Sequence, residues 1–229
     1  MPFRDRSHAG RTLAKALVGY KVQQPVVLAL PRGGVSVAGE VCAALNAPLE
    51  LILVRKIGVP FQPELAMGAV VDGSTPIIVR NEEVIRLAHI DESTFKAVCD
   101  DELAEIERRR QRYLGTEARL EIGGCTAIVI DDGIATGATT RAALRATRTR
   151  NPKNLVLAVP VAPTSTLDEL RSEADDIVCL KDSEFFGAIG AYYRDFSQVS
   201  DEEVIDILKQ FSRRLNETEN PPHNASLPI

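Results

Sequence analysis

The 229-residue sequence contains no Trp and only eleven aromatic residues, seven Phe and four Tyr. It also lacks a basic surplus: 27 Lys and Arg stand against 32 Asp and Glu, for a net charge of −5. Proteins that live on nucleic acid or on anionic membranes usually carry a basic excess, so neither partner is expected. No apolar run approaches the ~20 residues that span a bilayer. The first residues, Met1-Pro2-Phe3-Arg4-Asp5-Arg6, lack the apolar segment of a secretory signal. A cytoplasmic location is the expectation. Cys42, Cys99, Cys125 and Cys179 are scattered singly, without the paired spacing of a zinc or redox site, and His8, His89 and His223 do not cluster.

What is present is an ordinary globular composition, 45% hydrophobic and 26% charged, enough for one full core. Five short apolar runs punctuate the chain: Val26 to Leu30, Leu51 to Val54, Ala127 to Ile130, Leu155 to Val161 and Ile177 to Leu180. Their apolarity is continuous rather than alternating, which means burial on both faces, as in a parallel sheet. Segments 34–46, 138–150 and 164–174 read as crossover helices, the last with a capping-box-like Ser165 and Asp168. This alternation predicts an α/β fold, a doubly wound open sheet of about five parallel strands whose ligand sits outside the strands' carboxyl ends. The sequence divides as one domain over 1–215 and a polar tail, 216–229, expected to be disordered.

Residues 55–126 break the rhythm. They hold a Pro/Gly-rich stretch, Gly58-Val59-Pro60-Phe61-Gln62-Pro63, a hairpin turn at Asp72-Gly73-Ser74, and a charged helix from about Asp91 to Leu114. Placed beside the strand ends, this insertion is a candidate lid. Arg108, Arg109, Arg110 and Arg112 on that helix read as a solvated face, since Glu105 precedes Arg109 by one turn. An amphipathic helix is expected from Ser7 to Tyr20, and another from Ser200, capped by Ser200 and Glu203.

The most informative stretch is Ile128-Val129-Ile130-Asp131-Asp132-Gly133-Ile134-Ala135-Thr136-Gly137-Ala138-Thr139-Thr140. A buried strand delivers two acids to its end, and a Gly/Thr turn then opens a helix. Loop amides and the helix N-terminus form an anion cradle, to which the Thr hydroxyls add donors. The Lys of a nucleoside-triphosphate P-loop is missing. Two carboxylates beside a phosphate cradle call for donors such as vicinal sugar hydroxyls, so a ribose 5-phosphate would suit them.

Asp131 through Thr139 resembles the binding motif of the type I phosphoribosyltransferases for 5-phosphoribosyl 1-pyrophosphate (PRPP). Gly133, Ala135, Thr136, Gly137, Ala138 and Thr139 then become the phosphate-binding loop. Leu30-Pro31-Arg32-Gly33-Gly34 is similar to the family's pyrophosphate loop, with Arg32 as cation and Gly33 and Gly34 allowing close backbone approach. Arg55-Lys56-Ile57-Gly58-Val59-Pro60 is similar to the start of a flexible loop that closes over pyrophosphate.

The resemblance implies transfer of a ribosyl phosphate from PRPP to a nitrogenous base, purine-like in the favoured reading, with release of pyrophosphate and Mg2+ on the leaving group. Asp131 and Asp132 would stabilise the sugar cation and lie near the metal, and Arg55 and Lys56 would neutralise the leaving group. The resemblance also implies a homodimer. A hood over the base is expected at about 181–199, where Phe185, Phe186, Tyr192, Tyr193 and Phe196 put five aromatics within twelve positions. Phe185 and Phe186 are the candidates for base stacking, and Lys181 and Asp182 for proton transfer to the base. Tyr193-Arg194-Asp195-Phe196 is similar to a segment of hypoxanthine-guanine phosphoribosyltransferases, but Gly190 and Ala191 fill the region where those enzymes carry an Asp, which argues against guanine. The alternative is a PRPP-binding regulator or sensor of the same fold without catalysis.

Overall fold

A computed structural model gives the fold, and it describes residues 1–73, 76–115 and 119–219, with side chains as far as Phe211. Five parallel strands form the central sheet in the order β2-β1-β6-β7-β8. They are β1 (Val26–Ala29), β2 (Leu49–Leu51), β6 (Thr126–Ile130), β7 (Asn154–Pro163) and β8 (Asp176–Ser183). Every residue of β1, β2 and β6 is buried, and all but the ends of β7, as continuous apolarity requires.

Successive side chains alternate between two cores. Val27, Ala29, Ile128, Ile130, Val156 and Ala158 face one cluster, shared with α1 (Arg6–Ala16), α2 (Gly33–Leu45) and α7 (Asp201–Glu219). Val26, Leu28, Leu30, Ala127, Val129, Leu155 and Leu157 face the other, shared with α5 (Ala138–Thr149) and α6 (Thr164–Leu170). The open doubly wound sheet expected from the sequence is therefore present. Strand order reverses between β1 and β6, and in such sheets the crevice at that switch point takes the ligand.

Between β2 and β6 the chain builds a second layer. Strands β3 (Val54–Val59), β4 (Gln62–Val71) and β5 (Ile77–Arg80) form an antiparallel sheet. Two helices follow, α3 (Glu82–Leu87) and α4 (Glu92–Leu114), the latter capped by Asp91, whose carboxylate accepts from the Thr94 amide at 2.7 Å. The stretch 55–60, expected to begin a flexible loop, is thus strand β3 here. The reason is its pattern: Ile57 and Val59 are fully buried, and β3 pairs in register with β4 along its length apart from a bulge at Gly58. The turn at Asp72 and Gly73 lies between β4 and β5 as expected, while Ser74 lies outside the described residues.

The base of this layer is tied to the central sheet by charge. Asp72 accepts from the Leu53 amide at 2.9 Å and pairs with Arg119 at 2.5 Å. Buried Glu50 meets Arg119 and Arg150 at 3.7 and 3.3 Å, and burial still pushes its carboxyl above the usual carboxylate range.

Three helix ends can be compared with the expectations. Ser200 and Glu203 form the reciprocal capping box, at 3.1 and 2.7 Å. Ser165 and Asp168 do not: α6 begins at Thr164 with Pro163 in the cap position, and Asp168 pairs with Arg171. Helix α7 runs to Glu219, so the tail boundary expected at Asn216 falls inside it, and 220–229 lie outside the described residues. No helix among the described residues is long and apolar enough to cross a membrane.

A packed β3 predicts that Ile57→Ala will cost about 2–5 kcal/mol of unfolding free energy, the usual loss for a large side chain cut back in a core. Urea denaturation measures it. An unchanged midpoint would mean that this segment is loose after all.

Candidate active site at the ends of two parallel strands

Strands β1 and β6 pair in register up to Ala29 and Ile130, and the Leu30 amide extends the ladder to the Ile130 carbonyl at 2.9 Å. The turn 31–34 and the loop 131–137 therefore leave the sheet side by side. Their contact is close: a Cβ on Gly33 would lie 1.9 Å from Asp132 Oδ2, and one on Gly34 would lie 2.8 Å from the Ile130 carbonyl oxygen. At Gly34, where the close atom is backbone, only glycine fits, and at Gly33 a side chain would displace the Asp132 carboxylate. Arg32 precedes them at the start of α2, with Nη1 3.7 Å from Asp201 Oδ1.

The loop after β6 is pinned from below. The Ile134 amide donates to the Val161 carbonyl at 2.9 Å, and Thr166 Oγ1 donates to the Ala135 carbonyl at 3.0 Å. Gly133 packs against Val161 and Ile189. Gly137 sits at φ +73, a left-handed conformation at the N-cap of α5, and brings no capping side chain. No side chain caps the first turn of α5 and no acid stands in that turn, and Ala135, Thr136, Ala138 and Thr139 are exposed around it.

The two acids are unequal. Asp131 Oδ1 accepts the Asp132 amide at 2.8 Å. Desolvation first, and then the negative charge of Asp132, push the Asp131 carboxyl well above the usual carboxylate range. Asp132 is buried, and its Oδ2 accepts from Arg6 Nε at 2.6 Å. Its carbonyl oxygen accepts from the Tyr193 hydroxyl at 2.5 Å. Burial, and next the charge of Asp132, hold that phenol above its usual range.

Neither Arg6 nor the Tyr193 hydroxyl is marked for this role by the sequence. The only hint is chemical: an acid delivered to the end of a buried strand needs a cation, and nothing in a linear reading says which.

Segment 181–199, the expected hood, packs beside the acid loop. Tyr193 stacks on Phe196 at 5.0 Å and tilts against Phe3 at 5.7 Å, and Phe186 stacks on Tyr192 at 4.9 Å. The chain's beginning completes it, with the Phe3 amide donating to the Tyr192 carbonyl at 2.7 Å and the Arg194 amide to the Phe3 carbonyl at 2.8 Å. Phe186 is engaged in this internal stack, whereas Phe185 is 93% exposed. Lys181 donates to the Met1 carbonyl and lies 3.9 Å over the Phe3 ring, and Asp182 accepts from Thr164 at 3.1 Å.

Arg55 and Lys56 are not brought onto the acid pair. Arg55 pairs with Glu102 of α4 at 2.6 Å, and Lys56 with Glu64 of β4 at 3.2 Å. Arg108 and Arg109 are held by Glu105, as a solvated face implies, and Arg112 by Asp201 and Glu202.

This geometry of loops agrees with what the chain is similar to. The family model described as "Phosphoribosyl transferase domain" matches residues 5–197. The chain belongs to that family. It is 44% identical over 211 residues to the Mycobacterium tuberculosis protein named "Putative phosphoribosyl transferase Rv0571c", covering 92% of this chain and 47% of that protein. The chain thus spans about half the length of the curated relatives it matches. The crystal structure of TT1426 from Thermus thermophilus is 40% identical, with a TM-score of 0.79, covering 92% of this chain and 99% of that one. The AQ2163 protein from Aquifex aeolicus, at 12% identity and a TM-score of 0.50 over 81% of this chain and 78% of that one, shares the fold. The family match runs from Asp5 to Ser197, so within this phosphoribosyl transferase domain it takes in Arg6, both strand-end loops and most of the hood.

The raised Asp131 carboxyl has a consequence for stability. Above the ordinary carboxylate range the unfolded chain has lost a proton that the folded one retains, so stability falls as pH rises through that window. Asp131→Asn lacks this titration and keeps the oxygen that accepts the Asp132 amide. It should be more resistant to urea than the unaltered protein at pH 7, with the difference shrinking towards pH 4. A less stable variant at pH 7 would contradict the assignment.

Proposed function

We propose that this chain transfers the 5-phosphoribosyl group of PRPP to a nitrogenous base, purine-like, and releases pyrophosphate. The observation that carries the reading is the juxtaposition of the Arg32-Gly33-Gly34 turn with the Asp131-Asp132 loop and the uncapped start of α5. In this reading the 5-phosphate takes the amides and hydroxyls of Ala135 to Thr139, and the vicinal ribose hydroxyls donate to Asp131 and Asp132. Arg32 and the turn amides take the pyrophosphate. The C1–O bond to pyrophosphate breaks with its electron pair leaving on oxygen, a base nitrogen bonds to C1, and that nitrogen's proton passes to the departing pyrophosphate through solvent. As cationic character develops on the sugar, the Asp132 carboxylate stabilises it by charge and the Asp131 carboxyl by the dipole of its carbonyl oxygen, while Arg32, Arg55 and Lys56 stabilise the departing anion. Phe185 is the open aromatic face for the base.

A divalent cation fits the donors. Among the described residues no cluster of three or more His, Cys, Asp or Glu could hold a metal alone. Yet Asp131 and Asp132 sit together, and Mg2+ is ordinarily bound by one or two carboxylates plus substrate phosphates and water. Mg2+ held by Asp131, Asp132 and substrate oxygens would supply charge neutralisation of the leaving group. The same reading carries a cytoplasmic homodimer working in nucleotide metabolism, as purine salvage.

A PRPP-binding regulator without catalysis is the second reading. What favours it is the engagement of Arg55 and Lys56 with Glu102 and Glu64. One assay separates the two: pyrophosphate release with PRPP and Mg2+ across a panel of purine and pyrimidine bases. Release with at least one base is expected, lowered by about 10²-fold or more in Asp131→Asn/Asp132→Asn, on the scale of removing a preorganised electrostatic group. Saturable PRPP binding with no release for any base would favour the regulator, and undiminished release in the double variant would sink the assignment of the acids.

A further inference from the structure

Arg6 lies 126 residues before Asp132 in the sequence and in contact with it in the fold. Its Nε donates to Asp132 Oδ2 at 2.6 Å, its Nη1 donates to the Ser197 carbonyl at 2.6 Å, and its guanidinium lies 3.9 Å over the Phe196 ring. Both side chains of the pair are only 12% exposed. A Cβ on Gly33 would lie 3.0 Å from the same Nε, so the group also borders the Arg32-Gly33-Gly34 turn. One side chain thus touches the acid loop, the glycine turn and the hood, and does so from the first residue of α1. The segment before it is zipped to the hood through Phe3.

We propose that Arg6 is a positioning residue for the sugar site: it holds Asp132 by Oδ2 so that Oδ1 is presented to a ribose hydroxyl, and it locks the hood to the acid pair. This rests on the PRPP-transfer reading above. Arg6 itself does not touch substrate. The geometry asks for arginine, because a planar fork can serve two acceptors while its face stacks on an aromatic ring, whereas lysine offers a point charge. It also explains why the chain's beginning is built into the hood.

Titration calorimetry of PRPP and of ribose 5-phosphate, without Mg2+, tests this in the unaltered protein, Arg6→Met and Arg6→Lys. Loss of a hydrogen bond to a charged group predicts binding weaker by about 10- to 100-fold in Arg6→Met. Guanidinium at millimolar concentration should restore part of it, as it would not if the side chain merely stabilised the fold. Arg6→Lys keeps the charge and guards against a variant that fails to fold. It should also bind more weakly than the unaltered protein while keeping a folded circular-dichroism spectrum at the assay temperature. Wild-type or tighter sugar-phosphate binding in Arg6→Met, as expected if Arg6 were a plug, would overturn the inference alone. Failure of the unaltered protein to bind either ligand, both without Mg2+ and with it, would overturn the proposed function, and this inference with it.

Discussion

The pairing of β1 with β6 is the constraint on which the site depends. Both strands are buried on two faces, so their register is fixed by two cores at once, and a slip of one residue would exchange the side chains of both. Because they end together at Ala29 and Ile130, two loops far apart in sequence must leave the sheet at the same point. That crowding makes glycine necessary at position 34, where a Cβ would meet the backbone of β6, and it brings the turn at Gly33 onto the Asp132 carboxylate. The two loops thus meet at the topological switch point, where open parallel sheets ordinarily take their ligands.

Crowding two carboxylates into that crevice raises an electrostatic problem, which the fold meets in two ways. Asp131 is desolvated, and burial together with its neighbour's charge favours its protonated form. Asp132 is matched with a cation from α1 and anchored through its carbonyl by Tyr193. The second device reaches into segment 181–199, since Arg6 also donates to the Ser197 carbonyl and Tyr193 belongs to that segment, so the acid loop and the segment are held as one unit. Within the net charge of −5, the local balance at the strand ends is what bears on a small anionic substrate.

How much of this was legible follows from how far each signal reaches. Continuous apolar runs located four of the five parallel strands, the run Leu51 to Val54 touching β2 only at Leu51, and the adjacency of Asp131 and Asp132 after one of them located the loop, because both signals are local. The insertion was harder. Its Pro and Gly residues read as loop, yet Ile57 and Val59 alternate into a core supplied partly by Met67 and Val70 of β4, which only tertiary pairing reveals. Ser165 and Asp168 had the spacing of a capping box, but with Pro163 in the cap position α6 begins two residues sooner. Arg6 was invisible for the same reason as the β3 pairing, since its role is created entirely by a contact across the chain. Of the two adjacent phenylalanines, the sequence could not say that Phe186 would be engaged by Tyr192 while Phe185 stayed open.

The cations around the site differ in how readily they can move, and magnitudes decide which do. Arg55 and Glu102 are 32% and 21% exposed, and Lys56 and Glu64 are 40% and 97% exposed. Pairs of that kind contribute about 0–1 kcal/mol, so exchanging Glu102 or Glu64 for a polyanionic ligand costs little. Arg6 and Asp132 are each 12% exposed, and breaking a buried pair costs about 3–5 kcal/mol because a desolvated charge is left behind. In the proposed reaction the two sets therefore have opposite duties. Those on β3 are free to follow the leaving group, and the one on α1 stays where the sugar needs a fixed acceptor.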